Sequence, residues 1–327
     1  MQISIIRQTP AVSILLMLLL VAAAFTRVAM APYGDELIAG EIPNIGAWVD
    51  SFQSAYPIWG WILSAVVMIM NGVAIGKLTT ALGLYHIRTT VSIPLYAIIS
   101  CGIFIASDSL VVALATYFTV QMFRYLCGGY VRGTDFNYAF YAGLCAGLAP
   151  LLYAPTTLLV ILLPIAILMF GFSWREVVVM TVGLIFPLGA TSYIDWFMGG
   201  EFSATAIGLL NALVYPCDYT PWASESVVAL IMMGLAAFAT ICSIAAFVGE
   251  KRSVSVRPRT IITFCIILLI VAGSLFLLPS ATAGLFAIVA IPISILIPIF
   301  LMRLSDDASS LVILALILLV ILHCFIP

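Results

Sequence analysis

The chain has 327 residues, of which 64% are apolar and only 8% charged, with a net charge of −2, and its mean hydropathy is +1.25. Too little polar surface is available to cover a water-soluble globule of that length. The near-zero net charge and the lack of a long soluble segment also argue against a nucleic-acid partner.

A hydrocarbon core about 30 Å thick needs about 20 apolar residues per helix, and runs of that kind recur along the chain. They do not alternate inward and outward residues, so they predict helices rather than a barrel. In chain order, spans are expected near 11–31, 57–76, 91–106, 108–126, 137–154, 156–172, 176–197, 226–248, 260–278, 284–301 and 308–326. The third to sixth have thin boundaries, at Pro94, at Ser107-Asp108-Ser109 and at Ala154-Pro155. A proline kinks a membrane helix as readily as it ends one, so nine or ten spans remain open beside eleven. The expected fold is all-α: a polytopic membrane helix bundle forming a single transmembrane domain over residues 1–327.

The first run needs its own decision. Arg7, the apolar stretch and Ala29-Met30-Ala31 imitate a signal peptide, but the run exceeds the usual core of about 7–15 residues, and Pro32 follows at once. A retained helix is the preferred reading. Lys and Arg in short loops stay cytoplasmic, and a cytoplasmic N-terminus places Arg7, Lys77, Arg88, Arg124, Arg132, Arg175, Lys251, Arg252, Arg257, Arg259 and Arg303 on that side, leaving Arg27 alone outside. The outer loops, 32–56 and 198–225, then carry Asp35, Glu36, Glu41, Asp50, Glu201, Asp218 and Glu225 among aromatic residues. The expected location is the inner (plasma) membrane.

Within the spans, Gly72-x-x-x-Gly76 and Gly143-x-x-x-Gly147 predict close helix packing inside the chain. Ser173-Trp174-Arg175-Glu176 has the form of a capping box. The seven cysteines form no C-x-x-C pair, and most read as small apolar filler. His86 and His323 share no ligand spacing, so neither a metal site nor a cofactor is expected. No nucleotide-binding G-x-x-x-x-G-K-[ST] motif occurs. Nearly every charge falls at a span end. Asn71 and Gln121 are the strongly polar exceptions, and a helix–helix hydrogen bond accounts for each as well as a transport path does.

The best candidate for chemistry follows the first helix, where Arg27 precedes the adjacent carboxylates Asp35 and Glu36. A carboxylate at the outer leaflet could serve as general base on an acceptor hydroxyl, and a guanidinium could hold the phosphate of a lipid-linked donor. Solvated loop carboxylates and an arginine reaching the headgroups explain the same residues without function. Asp195 and Trp196, with Glu201, form a second acidic and aromatic edge that could supply substrate contacts. The catalytic candidates are therefore Asp35 and Glu36, and the substrate-binding candidates are Arg27, Asp195 and Trp196.

The central stretch Phe136-Asn137, Gly147-Leu148-Ala149, Tyr153-Ala154-Pro155 and Phe172-Ser173-Trp174-Arg175-Glu176 resembles an uncharacterised family of multi-pass inner-membrane proteins of Bacteroidetes-type bacteria. That likeness implies location and architecture and supplies no catalytic residues. More distantly, the helix leading to Asp35-Glu36 and the Gly147-to-Pro155 helix are similar to membrane glycosyltransferases of the GT-C fold, which use polyprenyl-phosphate sugars. This likeness implies a lipid-linked donor as partner, acidic residues at the outer face and a role in cell-envelope biogenesis. The first outer loop, about 25 residues long, is shorter than in those enzymes. Three function classes stay open: such a transferase, a non-enzymatic scaffold with a membrane-protein partner, and a permease for a neutral or lipidic solute.

Overall fold

A computed structural model describes residues 10–30, 44–87, 89–103, 109–133, 135–215, 226–250 and 255–325, and among these every regular element is helical. The order is α1 (Pro10–Met30), α2 (Asn44–Ala55), α3 (Pro57–Ala81), α4 (Ser92–Ile103), α5 (Ser109–Arg132), α6 (Phe136–Leu152), a 3-10 stretch Ala154–Ile161 running into α7 (Leu162–Phe170), α8 (Trp174–Phe197), α9 (Ala204–Val214), α10 (Val227–Glu250), α11 (Val256–Ser274) with a 3-10 turn Leu275–Leu277, α12 (Leu285–Leu301) and α13 (Asp306–Phe325). Helices α3, α5, α8, α10, α11 and α13 are long and apolar enough to cross a membrane.

Three details depart from the sequence expectation. Helix α5 does not stop near residue 126 but continues to Arg132, so Arg124 lies within a helix instead of at its end. Helices α2 and α9 occupy stretches read as loops. Each is about half the length a span requires, which is why a search for runs of 20 apolar residues passes over both. Pro94 breaks nothing: it is the third residue of α4, where its missing N–H would have had no helical partner in any case.

The core is built on α4 and α12, which pack against one another. From Val91 through Cys101 every residue is buried, and α12 is buried along nearly its whole length. A helix that is apolar all round belongs at the centre of such a bundle. Helices α1, α3 and α13 surround α4, while α10, α11 and α5 surround α12. Pro292 and Pro298 each remove a backbone donor from α12, and neighbours bring hydroxyls to that helix: Tyr85 Oη donates to the Ile295 carbonyl at 2.7 Å and Ser243 Oγ to that of Ile297 at 3.4 Å.

A second layer runs from α5 through α6 to α8, and α6 and α8 form the most extensive helix pair. Small residues set its closeness. A Cβ on Gly143 would collide with the Met180 carbonyl, and one on Gly183 with that of Phe140, so the glycines of both helices admit the opposite backbone. The other pair makes room for side chains instead, with Gly72 receiving that of Met17 from α1 and Gly76 that of Ile93 from α4. Ser173 and Glu176 complete the expected capping box. Glu176 is also buried and accepts the Asp135 N–H at 3.3 Å, tying the start of α8 to the start of α6.

Candidate functional site

Two interruptions of helical backbone meet in this bundle. The first is Tyr153, whose extended backbone (φ −138°, ψ 103°) ends α6 and begins the 3-10 stretch. Pro155 follows and cannot donate to the preceding turn. The Thr156 and Thr157 hydroxyls answer locally, donating to the Tyr153 and Ala154 carbonyls at 2.7 Å each. The second is the turn from Leu278 to Gly284 that precedes α12, buried from Ser280 onward. Irregular backbone inside an apolar bundle is tolerated where protein covers it, and here each break covers the other.

Side chains join the two. Tyr153 Oη and Thr282 Oγ1 are 2.5 Å apart, both buried. Thr282 Oγ1 also lies 3.4 Å from where a Gly284 Cβ would sit, so this hydroxyl pair stands at the first turn of α12, where the helix dipole is positive. Ser280 Oγ is buried without a hydrogen-bond partner among the described residues, an arrangement that costs about 1–3 kcal/mol.

Contacts extend from this junction to the start of α5. The Gly284 Cβ position is 2.8 Å from Val112 Cγ2, and the next residue of α5, Ala113, offers its carbonyl to Asn71 Nδ2 at 3.3 Å. Asn71 also donates to Tyr96 Oη at 3.4 Å, and its Oδ1 has no partner among the described residues. These bonds link α3, α4 and α5, the helix–helix role expected for Asn71. Gln121 differs: it accepts from Arg124 on its own helix at 3.3 Å. At the first turn of α5, Gln53 of α2 accepts the Leu110 N–H at 3.2 Å. Three contacts thus gather the end of α2, the start of α5, the end of α6 and the start of α12 at one end of the bundle.

The junction is neutral. Its hydroxyls can donate to and accept from a ligand, but none is a base at neutral pH, so a proton-abstracting group would have to come from elsewhere. Asp50, one turn before the end of α2, is a half-buried carboxyl that burial raises above the ordinary range.

Of the residues singled out by sequence, Asp35 and Glu36 lie outside the described residues. Arg27 is in the last turn of α1, and its side chain lies outside them too. Asp195 accepts a hydrogen bond from Thr205 Oγ1, holding α9 against the end of α8. Trp196 is 56% exposed and its neighbour Tyr193 packs beside it at 5.9 Å between ring centroids. The pair therefore forms a helix-end clasp and an exposed aromatic edge. Tyr153, Ser280 and Thr282 are not among the site residues expected from sequence, although Ala154-Pro155 marks a thin break there. A matching cue stood in Leu278-Pro279-Ser280-Ala281-Thr282-Ala283-Gly284, a polar, Pro- and Gly-bearing stretch between two apolar runs. No protein-family model, curated protein or solved structure matches the chain.

Proposed function

We propose that this chain is a polytopic inner-membrane protein of the cell envelope, threading eleven spans from a cytoplasmic N-terminus and transferring a group from a lipid-linked phosphate donor at its outer face. One observation carries the reading. The charge asymmetry assigns the end of α1, the end of α6 and the starts of α5 and α12 to the outer side, and the bonds Gln53–Leu110 and Tyr153–Thr282 with the Gly284–Val112 contact gather three of those ends together. The acidic stretch enters the same region by connectivity, since residues 37–43 alone separate Glu36 from α2.

The chemistry is a glycosyl-type transfer. An acceptor hydroxyl oxygen attacks the donor carbon bonded to phosphate, its proton passes to Asp35 or Glu36, and the polyprenyl phosphate leaves with the bonding electron pair. Arg27 holds the phosphate. The Ser280 hydroxyl, without a partner among the described residues and just before the positive end of α12, supplies a further donor to the phosphate oxygens. The likeness to GT-C enzymes and to the uncharacterised envelope family belongs to this proposal.

A second reading rests on the meeting of two broken helices, an arrangement that transporters use to build substrate sites: a permease for a neutral or lipidic solute. A single preparation separates the two. The protein is reconstituted in vesicles with a radiolabelled polyprenyl-phosphate sugar and a mixed glycan acceptor, beside Asp35→Asn and Glu36→Gln. Transfer that one of these changes abolishes, with the fold intact, supports the transferase. Equal transfer by both variants and the wild type sinks it, and movement of the intact donor across the vesicle without transfer favours the permease.

A further inference from the structure

The unexpected length of α5 exposes a site at the opposite end of that helix from the junction above. Arg124 lies eight residues before Arg132, which ends the helix, so it sits about 12 Å further along the helix axis at 1.5 Å per residue. Both arginines are exposed. Among the described residues neither forms an ion pair: Arg124 donates to Gln121 Oε1 at 3.3 Å, and Arg132 stands over the Tyr138 ring at 5.2 Å. An arginine well inside an apolar helix is costly unless something pairs with it, and such a residue marks a functional site by default.

The surroundings form a cradle between α5 and α6. Arg124, Gly128 and Arg132 recur every four residues and so line one stripe of α5. Gly128 permits the Tyr138 ring to lie against α5 between the two arginines, since a Cβ there would come within 2.6 Å of that ring. Tyr125 meets Tyr138 edge-on at 5.8 Å and Tyr141 at 5.3 Å, and Tyr141 is exposed. Two unneutralised guanidinium groups with tyrosine hydroxyls beside them suit a phosphate diester, and the adjoining apolar helix faces suit acyl chains. Tyrosines at this level are the usual companions of lipid headgroups.

We propose that the α5–α6 cradle binds the headgroup phosphate of an anionic phospholipid, with Arg124 as the principal ligand and Arg132, steadied by Tyr138, as the second. The proposal requires the chain to lie in a membrane but does not depend on transferase activity. It concerns the end of α5 opposite the Gln53–Leu110 contact.

The test titrates full-length protein, in a neutral detergent, with phosphatidylglycerol or phosphatidylcholine and counts bound lipid by native mass spectrometry. Arg124→Gln is expected to weaken phosphatidylglycerol binding roughly tenfold and Arg132→Gln severalfold, with phosphatidylcholine unaffected. Arg257→Gln, which removes an exposed cation at the start of α11, should change nothing. Unfolding temperature without added lipid checks the fold. If Arg124→Gln does not fold, Arg124→Lys, which keeps the charge but loses the bidentate fork, takes its place, with weaker binding again expected. Phosphatidylglycerol binding within twofold of wild type in the Arg124 and Arg132 variants overturns the proposal. So does equal displacement by millimolar inorganic phosphate, which would make the cradle a site for free anions.

Discussion

Replacing Gly147 by alanine tests whether backbone contact, not side-chain interlock, sets the α6–α8 pair. The added Cβ would lie 2.5 Å from the Leu184 carbonyl oxygen and 3.1 Å from Pro187 Cγ, whereas ordinary contact begins at 3.4 Å, so the two helices must part by about 0.9 Å. Neither atom belongs to a flexible side-chain end that could swing aside. Overpacking of this kind costs about 1–3 kcal/mol, and a gap of 0.5–1 Å forfeits roughly a quarter to a half of each dispersion contact across the interface. The loss is expected in reversible unfolding of the purified protein in mixed micelles, followed by circular dichroism. Gly234→Ala is the matched control, because a Cβ at that helical position meets nothing within 4 Å, and it should leave stability unchanged or slightly raised. If Gly147→Ala unfolds within about 0.5 kcal/mol of the wild type while Gly234→Ala behaves as expected, the close-contact account of this pair is wrong.

Two further outcomes are expected. In a double-mutant cycle, Tyr153→Phe and Thr282→Val should each destabilise by about 1–3 kcal/mol and couple by about 0.5–1.5 kcal/mol, since removing one partner orphans the other in a buried junction; additive unfolding energies would show that the two breaks are held by other contacts. Burial raises the Asp50 carboxyl, so the folded chain holds this proton more tightly than the unfolded one, and ionisation at neutral pH costs stability that is regained as pH falls through the raised value. Asp50→Asn should therefore unfold at or above the wild-type temperature at pH 7, with the difference vanishing below about pH 4; a lower melting point at pH 7 would contradict that sign.

Composition and the spacing of apolar runs determined that this chain is helical and suited to lipid, because hydrocarbon leaves an unpaired backbone no alternative and each span must reach a minimum length. The capping box at Ser173 and the two glycine pairs were also legible, since both depend on residues three or four apart on one helix. Helix ends were less so: α5 runs past Arg124 where neighbouring α6 sets Tyr138 against Tyr125 of α5 and beneath Arg132, and no local pattern records that company. Helices α2 and α9 escaped notice because they are too short to register as apolar spans. Tyr153 and Thr282 are separated by 129 positions, and only the packing of α6 against the turn before α12 makes them neighbours. Sequence thus determined what each segment can dissolve in, while tertiary structure decided which interruptions meet, because long-range side-chain contacts depend on helix placement that local periodicity does not encode.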